Sequence, residues 1–389
     1  MKRENSARPR NFAEPDAFPF PQVRSGVCPL PRDFRREAKV AAYLLKQKLL
    51  RRERYPLVLM LEPLFRCNLA CAGCGKISHP DSILDKRLSV QECLDAVDEC
   101  GAPIVALVGG EPLIHRDIAE IVQGIVARKK FVNFCTNALL LKKKLHLFTP
   151  SPYFSWSIHL DGLKAEHDKA VDLAGAFEIA VAAIREARAR GFNVNVNATI
   201  FEGMAADKVA AFMDFAKSLD VSVSISPGYA YERAPDQEHF LSRRRTKTLF
   251  RRIFELGKGR DWPLLHTGFY LDFLAGNRAY ACTPWGMPTR NVFGWQKPCY
   301  LLDEGHAASY RELMSTTDWD SYGTGKHEKC ANCMAHCGYE PTAVDDAIRH
   351  PLAGLWRTVR GPRTDGPMAP EPQLQPQAAR DRQAPNPAE

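Results

Sequence analysis

A strand-then-helix pattern repeats six times between residue 55 and about residue 231, and it constrains the fold more than any other feature. Six short apolar runs are predicted strands: 57–61, 104–108, 131–135, 154–158, 193–200 and 221–226. Helical stretches lie between them, such as 89–99, which Ser89 would cap, and 174–190, which Gly191 would close. Strands that alternate with helices build a parallel α/β sheet, either doubly wound or curled into a partial barrel.

Polar and apolar side chains alternate along the last three predicted strands. Strands that are covered by helices on both faces are apolar throughout, so these strands must have one polar face. The alternation therefore favours a TIM-like partial (β/α)6 barrel over residues 55–231, with a polar lumen and a site at the C-terminal strand ends. Candidate ligand contacts on the polar face are Ser157, His159, Asn195 and Ser226. Each is equally well explained as a lumen residue with a protein partner.

Three cysteines follow the first predicted strand in the pattern C-x3-C-x2-C: Cys67, Cys71 and Cys74. Cysteine thiolates hold four-iron clusters, and three of them leave one iron open for another ligand. A structural zinc site is the alternative. It would need a fourth ligand, for which His79 is close in sequence.

Gly109, Gly110 and Glu111 follow the second predicted strand, at the same edge of the sheet. Consecutive glycines allow close backbone approach, and a carboxylate or carbonyl can accept a hydrogen bond from an ammonium. Together with the cysteine spacing, this segment resembles the radical S-adenosylmethionine (SAM) superfamily. The resemblance implies a 4Fe–4S cluster with one open iron, SAM bound to that iron, and contact of residues 109–111 with the SAM amino group. Many members have an aromatic residue just before the third cysteine, where this chain has Gly73.

Five further cysteines fall in residues 232–350, a loop-rich and aromatic part of the chain: Cys282, Cys299, Cys330, Cys333 and Cys337. Their C-x2-C-x3-C spacing with upstream cysteines resembles the auxiliary-cluster extensions of many radical SAM enzymes. This group predicts a candidate second metal centre, either a cluster or zinc, in a C-terminal domain that covers the substrate. Reduced thiols packed in a small domain are the alternative.

Cys135 lies on the third predicted strand and shares a face with Asn133 and Asn137. The period of two therefore points its side chain into the lumen. It is either a small buried hydrophobic residue or a hydrogen donor that quenches a radical.

The flanking segments have a different composition from the barrel. Residues 1–32 and 351–389 are rich in proline and polar residues and are predicted to be disordered. Residues 33–54 are predicted to form a basic amphipathic helix, either on a membrane surface or docked on the domain. The chain has no apolar run of membrane-spanning length and no apolar signal core, so we expect a cytoplasmic protein, peripheral at most on the inner face of the cytoplasmic membrane.

The charge and the cysteine content indicate the partners. Twelve cysteines in a chain without a secretion signal are typical of metal or redox ligands rather than disulfides. The net charge of +8 fits an acidic electron carrier such as flavodoxin or ferredoxin, or an anionic membrane surface. No nucleic-acid-binding motif is present in the sequence.

Four longer segments make the resemblance more specific: 55–64 (YPLVLMLEPL), 226–240 (SPGYAYERAPDQEHF), 293–300 (FGWQKPCY) and 337–344 (CGYEPTAV). They are similar to the hopanoid-biosynthesis radical SAM family, the adenosylhopane synthases. This resemblance implies addition of the 5′-deoxyadenosyl radical to the alkene of a hopene (diploptene), with Cys135 as the candidate hydrogen donor to the adduct. Two alternatives are a radical SAM enzyme that abstracts hydrogen from a peptide or another lipid, and a non-catalytic iron–sulfur or zinc protein.

Overall fold

The computed structural model describes residues 34–229 and 233–374. Within this part of the chain, nine strands form one sheet with the order β6-β5-β4-β3-β2-β1-β7-β8-β9. The strands are β1 (Val58–Leu61), β2 (Ile104–Leu107), β3 (Phe131–Thr136), β4 (Phe154–His159), β5 (Asn193–Ile200), β6 (Ser222–Pro227), β7 (Thr289–Asn291), β8 (Gly294–Gln296) and β9 (His306–Ala307). Strands β1 to β6 are parallel and stand in chain order, and the sheet does not close, which confirms the partial barrel.

The helices follow the strands as the sequence pattern predicts. They are α1 (Phe34–Leu49), α2 (Asp81–Leu84), α3 (Val90–Cys100), α4 (Ile118–Ala127), α5 (Leu141–Lys144), α6 (Lys164–Val171), α7 (Ala176–Ala189), α8 (Ala206–Ser218), α9 (Arg243–Leu256), α10 (Gly268–Leu274), α11 (Tyr310–Thr316), α12 (His336–Arg349) and α13 (Pro351–Arg360). Ser89 caps α3 through a capping box with Glu92, and Gly101 ends it with a φ of 71°. Local hydrogen bonds of this kind make such helix boundaries readable from sequence.

The sheet has an apolar outer face and a polar inner face. Trp156 and Ile158 of β4 are fully buried in the hydrophobic core. On the other face, Asn195 Nδ2 of β5 donates a hydrogen bond to Ser155 Oγ of β4 at 2.8 Å. The alternation in the sequence therefore marks a polar lumen, as predicted.

The C-terminal part of the chain extends the barrel sheet. Strand β7 pairs in parallel with β1, with Met60 opposite Thr289, and β8 and β9 continue the sheet antiparallel to it. Several aromatic residues of this part are buried in the hydrophobic core. Phe273, for example, is fully buried and stacks on Tyr339 with ring centroids 4.6 Å apart.

Helix α1 docks on the N-terminal ends of the strands, the end opposite to the predicted site. The Tyr43 hydroxyl donates to the Pro56 carbonyl at 2.6 Å, and the Lys39 ammonium lies 5.1 Å from the Tyr153 ring centroid. Leu44 and Gln47 are buried against the domain. The structure thus shows the docked alternative for this helix, which ends at Leu49 rather than at residue 54. In the described part of the chain, no helix is both long and apolar enough to cross a bilayer.

The structure differs from the sequence prediction in the C-terminal tail. Residues 351–360, predicted to be disordered, form helix α13, because proline at the first helical position and an apolar face outweigh the polar composition of the tail as a whole. The remainder of the predicted tail beyond residue 374 and the predicted N-terminal extension, residues 1–32, lie outside the described residues.

Candidate active site

The loop directly after β1 carries the first cysteine group, Cys67, Cys71 and Cys74. All three are free and partly exposed. A backbone hydrogen bond of 3.0 Å from Cys74 N to the Cys71 carbonyl makes the loop turn tightly. Burial raises the pKa of Cys67 to about 11 and that of Cys71 to about 12, and the neighbouring thiols of the group add to both shifts. A positive charge bound beside them, such as a metal cluster, would therefore be needed to hold Cys67 and Cys71 as thiolates at neutral pH.

The segment after β2 is hydrogen-bonded to the cysteine loop and requires glycine. Gly110 N donates to the Leu64 carbonyl at 3.1 Å, and Glu111 N donates to the Arg66 carbonyl at 3.0 Å. A Cβ on Gly109 would lie 2.5 Å from the Leu64 carbonyl oxygen, and one on Gly110 would lie 2.2 Å from that of Arg66. Gly109 also has a φ of 120°, which favours glycine. The two sequence motifs therefore form one structural unit.

The Glu111 side chain stabilises this unit through hydrogen bonds. Its carboxylate accepts hydrogen bonds of 2.9 Å from Leu113 N, Thr136 Oγ1 and Asn137 N. Burial raises the pKa of Glu111 to about 7, although these hydrogen bonds oppose the shift. Because three protein donors already engage the carboxylate, an ammonium at this segment would meet backbone carbonyls instead. The predicted contact of residues 109–111 with the SAM amino group stays a prediction.

Cys135 and Ser157 are brought together on the polar face. They are partners in the β3–β4 register. Burial raises the pKa of the Cys135 thiol to about 11, although the neighbouring Ser157 side chain opposes the rise, so the sulfur keeps its proton at neutral pH. The alternation predicted the face of Cys135, but its partner depends on a strand register that the sequence does not reveal.

His159 is held by Asp161, which the sequence analysis did not single out as a site residue. His159 Nε2 lies 2.6 Å from Asp161 Oδ2, and Asp161 Oδ1 accepts a hydrogen bond of 2.7 Å from Thr199 N. Although burial disfavours the charged imidazole, the adjacent carboxylate raises the pKa of His159 above its usual value. Asp161 also contributes to the raised pKa of Cys71. The pair therefore lies close enough to the cysteine loop for its charge to act on Cys71. The sequence signal that could have identified the pair is His-x-Asp at the end of β4.

The other two candidate contacts have protein partners. Asn195 donates to Ser155, and Ser226 Oγ lies 2.8 Å from His336 Nδ1 at the start of α12. His266 Nε2 makes a similar contact of 3.2 Å with Ser224 Oγ. The C-terminal part thus contacts the polar face of β6, and ligand contacts by Asn195 and Ser226 remain predictions.

Aromatic rings stand beside Gly73, where the superfamily often has its own aromatic residue. A Cβ on Gly73 would lie 2.9 Å from the Phe201 ring, and one on Gly228 would lie 2.7 Å from the same ring. Phe201 packs edge-to-face on Phe240, with centroids 5.9 Å apart. Phe201, directly after β5, therefore fills the space that a larger residue at position 73 would need. The sequence analysis missed it because the contact spans more than a hundred residues.

Behind the loop, Lys76 and Glu62 form a buried ion pair. Lys76 Nζ lies 2.8 Å from Glu62 Oε1, and Glu62 is fully buried. The Lys76 ammonium also lies 4.3 Å from the Tyr300 ring centroid. His79, the candidate fourth zinc ligand, instead stacks on Phe65 with centroids 5.0 Å apart. This position gives the zinc alternative no support.

The second cysteine group comes together around the start of α12. Burial raises the pKa of the five thiols, and for four of them the neighbouring cysteines add to the shift. A Cβ on Gly338 would lie 2.6 Å from Cys282 Sγ, so helix and thiol are in close contact. In residues 34–229 and 233–374, neither cysteine group has three side chains drawn into a ready-made metal site.

Comparisons with known proteins agree with this geometry. Residues 61–216 match the family model of the radical SAM superfamily, and residues 223–357 match a domain of unknown function (DUF3463). GTP 3′,8-cyclase of Listeria monocytogenes is 28% identical over 165 residues, which cover 41% of this chain and 50% of that protein. Mycofactocin maturase MftC of Mycolicibacterium smegmatis is 34% identical over 141 residues, 35% of this chain and 36% of that protein. The chain thus spans half or less of these curated relatives.

Solved structures share the fold over a longer stretch. SuiB of Streptococcus suis superposes with a TM-score of 0.59 at 16% identity, over 77% of this chain and 75% of SuiB. A SuiB structure with bound S-adenosylmethionine gives a TM-score of 0.53, over 65% of this chain and 62% of that one. At this identity the likeness establishes the fold alone. Residues 61–216, which carry the partial barrel and the three-cysteine loop, thus match the radical SAM superfamily.

Proposed function

We propose that the chain is a radical SAM enzyme that joins the 5′-deoxyadenosyl group of SAM to the alkene of a hopene (diploptene), forming adenosylhopane in hopanoid biosynthesis. The similarity of four segments to the adenosylhopane synthases supports the substrate. The observation that carries the reaction type is the thiol of Cys135, which keeps its proton in the lumen beside Ser157. A protonated thiol in this position suits a reaction whose product must gain hydrogen after a carbon–carbon bond has formed.

The residues present fit the cofactors. Cys67, Cys71 and Cys74 would hold the 4Fe–4S cluster, and the backbone of Gly109 and Gly110 would receive the SAM amino group. When bound, the two groups supply the 5′-deoxyadenosyl radical that adds to the alkene. The protein supplies position, and it excludes water from the reacting atoms.

Phe201, Phe240 and the His159–Asp161 pair would contact SAM. The two rings offer a flat apolar surface for the adenine, which answers the absence of an aromatic residue at position 73. The imidazole of His159, whose pKa is raised, although burial opposes this, by the adjacent Asp161 carboxylate, would face the SAM carboxylate or the ribose.

Cys135 would complete the reaction. Addition to a terminal alkene leaves a carbon radical in the adduct, and the weak S–H bond allows Cys135 to donate a hydrogen atom to it. The sulfur radical that remains needs one electron and one proton. An acidic electron carrier such as flavodoxin or ferredoxin, suited to the net charge of +8, would supply this electron and the earlier one that splits SAM into methionine and the 5′-deoxyadenosyl radical, and solvent would supply the proton.

The proposal extends to the second cysteine group and to the location of the protein. Cys282, Cys299, Cys330, Cys333 and Cys337 would hold a second metal centre, with packed reduced thiols as the alternative outcome. The protein would act in the cytoplasm, peripheral on the inner face of the cytoplasmic membrane, where a hopene is available.

Anaerobic incubation of the reconstituted protein with SAM, dithionite and diploptene, followed by lipid mass spectrometry, tests the reaction. The expected product has the mass of the hopene plus the 5′-deoxyadenosyl group and one hydrogen. Free 5′-deoxyadenosine without a lipid adduct would contradict the proposal. It would favour the alternative, hydrogen abstraction from a peptide or another lipid.

A second experiment tests the donor. Cys135→Ala should leave SAM cleavage intact and divert the adduct from the saturated product, because the hydrogen source is lost. Cys93→Ala, which removes a buried thiol on α3 outside the lumen, is the matched control. An unchanged yield of saturated product from Cys135→Ala would remove this residue from the mechanism.

A further inference from the structure

Helix α13 presents an apolar stripe to solvent. Its large apolar side chains are Leu352, Leu355, Trp356 and Val359, which are 83%, 58%, 56% and 75% exposed. Their spacing of three, four and seven residues places them on one face of the helix. These four residues form the α13 stripe. Contiguous apolar surface of this kind on a folded protein marks an interaction site.

The opposite face anchors α13 firmly to the protein. Gly354 is buried, and Arg357 Nε lies 2.8 Å from Asp272 Oδ2, a carboxylate whose side chain is 3% exposed. A Cβ on Gly268 of α10 would lie 2.8 Å from the backbone of Arg357 and Thr358. The α13 stripe is therefore held outward by close packing behind it.

The charges around the α13 stripe are mostly positive. The helix contains Arg357 and Arg360 and no acidic residue, and the Arg360 guanidinium lies 4.2 Å from the Trp356 ring centroid. At the end of α12, Asp345 binds both Arg349 at 2.7 Å and Lys48 of α1 at 2.9 Å. The sequence of α1 adds five basic residues and one acidic residue.

We propose that the α13 stripe docks the protein on a lipid bilayer rich in anionic phospholipid. Leucine, valine and tryptophan would enter the boundary between headgroups and acyl chains, with Arg360, beside Trp356, at the level of the phosphates. Each basic residue near an anionic surface adds attraction, which salt weakens. This surface differs from α1, whose buried face is used for docking on the strand ends.

A second copy of the chain fits the α13 stripe less well. Parallel two-fold pairing of two stripes would bring Arg360 of each copy close to the other, and like charges repel. A stable interface also buries about 800 Å² per partner, more than one helix of ten residues offers. The inference does not rest on the hopene substrate, although a water-insoluble substrate would reach a docked enzyme directly.

Vesicle sedimentation of the full-length protein tests the inference. The protein should bind vesicles of phosphatidylglycerol and phosphatidylcholine and bind pure phosphatidylcholine vesicles more weakly. Leu355→Glu combined with Trp356→Glu should lower the partition coefficient by at least about tenfold, because both apolar contacts are lost. Leu147→Glu combined with Ile179→Glu, two comparably exposed positions elsewhere, is the matched control and should bind like the unaltered protein.

Three outcomes would overturn the inference: unchanged vesicle binding by the Leu355/Trp356 variant, equal binding to both vesicle types, or loss of binding only in Leu45→Glu combined with Leu49→Glu on α1. A concentration-dependent dimer without lipid that the Leu355/Trp356 variant abolishes would assign the α13 stripe to a second copy. Since the assay contains neither SAM nor hopene, its failure leaves the proposed reaction untouched.

Discussion

The two cysteine groups lie in contrasting surroundings. Cys67, Cys71 and Cys74 share one partly exposed loop at the C-terminal ends of the strands. The second group comes from several separate segments, and three of its five thiols are only 8% exposed, packed within the C-terminal core. A loop can adjust to a metal, whereas thiols in a close-packed interior are fixed by their neighbours. Cysteine spacing thus suggests a metal in both places, but all three cysteines of the first group are partly exposed, whereas three of the five in the second group are buried.

The largest expected effect is on reductive SAM cleavage, which should require the first cysteine group and not the second. Cys71→Ala should abolish reductive SAM cleavage, since two thiolates are too few to hold the cluster with one open iron. Quantifying 5′-deoxyadenosine after addition of dithionite measures this. Replacing Cys330, Cys333 and Cys337 together with Ala, which leaves two thiols in the second group, should keep SAM cleavage while losing about four irons per chain if that group holds a cluster. Cleavage by the Cys71 variant would refute the assignment of the loop.

The next effect is a pH dependence of the free energy of unfolding. It comes from Glu111, in the segment that is hydrogen-bonded to the loop of the first cysteine group. Burial raises the pKa of Glu111 from 4.5 to about 7, so the folded protein binds this proton more tightly than the unfolded chain. The resulting stabilisation, ~3 kcal/mol at 1.36 kcal/mol per pKa unit, is complete below pH 4.5 and is lost as the pH rises to 7. Urea unfolding from pH 4.5 to 8 should show this slope relative to Glu111→Gln, which cannot titrate. Parallel profiles for the two proteins would show that Glu111 has an ordinary pKa.

A smaller effect tests the aromatic surface beside the first group. Phe201→Leu should weaken SAM binding by about tenfold, because stacking of a base on an aromatic ring contributes ~1–3 kcal/mol. Equilibrium dialysis with the reconstituted protein measures the Kd. Phe293→Leu, which alters a 41% exposed ring beside His79, is the control and should bind SAM normally. Equal affinities for both variants would place the adenine elsewhere.

The smallest effect is a difference in thiol reactivity. In the metal-free protein, iodoacetamide should modify Cys67, Cys71 and Cys74 a few-fold faster than Cys330, Cys333 and Cys337, because access differs. Mass spectrometry of peptides after timed quenching gives the rates. Faster labelling of the second group would mean that the C-terminal core opens readily.

Local patterns in the sequence predicted much of the fold. Strand β5 has the predicted bounds, and Ser89 and Gly101 delimit α3 as their capping chemistry requires. The alternation of polar and apolar residues gave the lumen face, with Cys135 on it. Each of these features depends on neighbours within a few residues, so the sequence displays it directly.

Long-range contacts account for what the sequence did not predict. The carboxylate of Glu111 is engaged by donors from β3, and Phe201 reaches Gly73 across the barrel mouth. The position of α1 at the N-terminal strand ends depends on Pro56 and Tyr153. Helix α13 was not predicted, because the segment around it is polar in composition. For Glu111, Phe201 and α1 the contact partner is distant in sequence. For α13 the composition of the surrounding segment misleads.

The parallel pairing of β1 with β7 has a consequence for how this chain can be divided. The two family matches meet near β6, and a protein truncated there would still contain the whole radical SAM match. It would also expose the edge of β1, where Met60 and Leu61 pair with Thr289 and Arg290, and exposed strand edges promote aggregation. The two matched segments therefore build one continuous sheet and are expected to fold together.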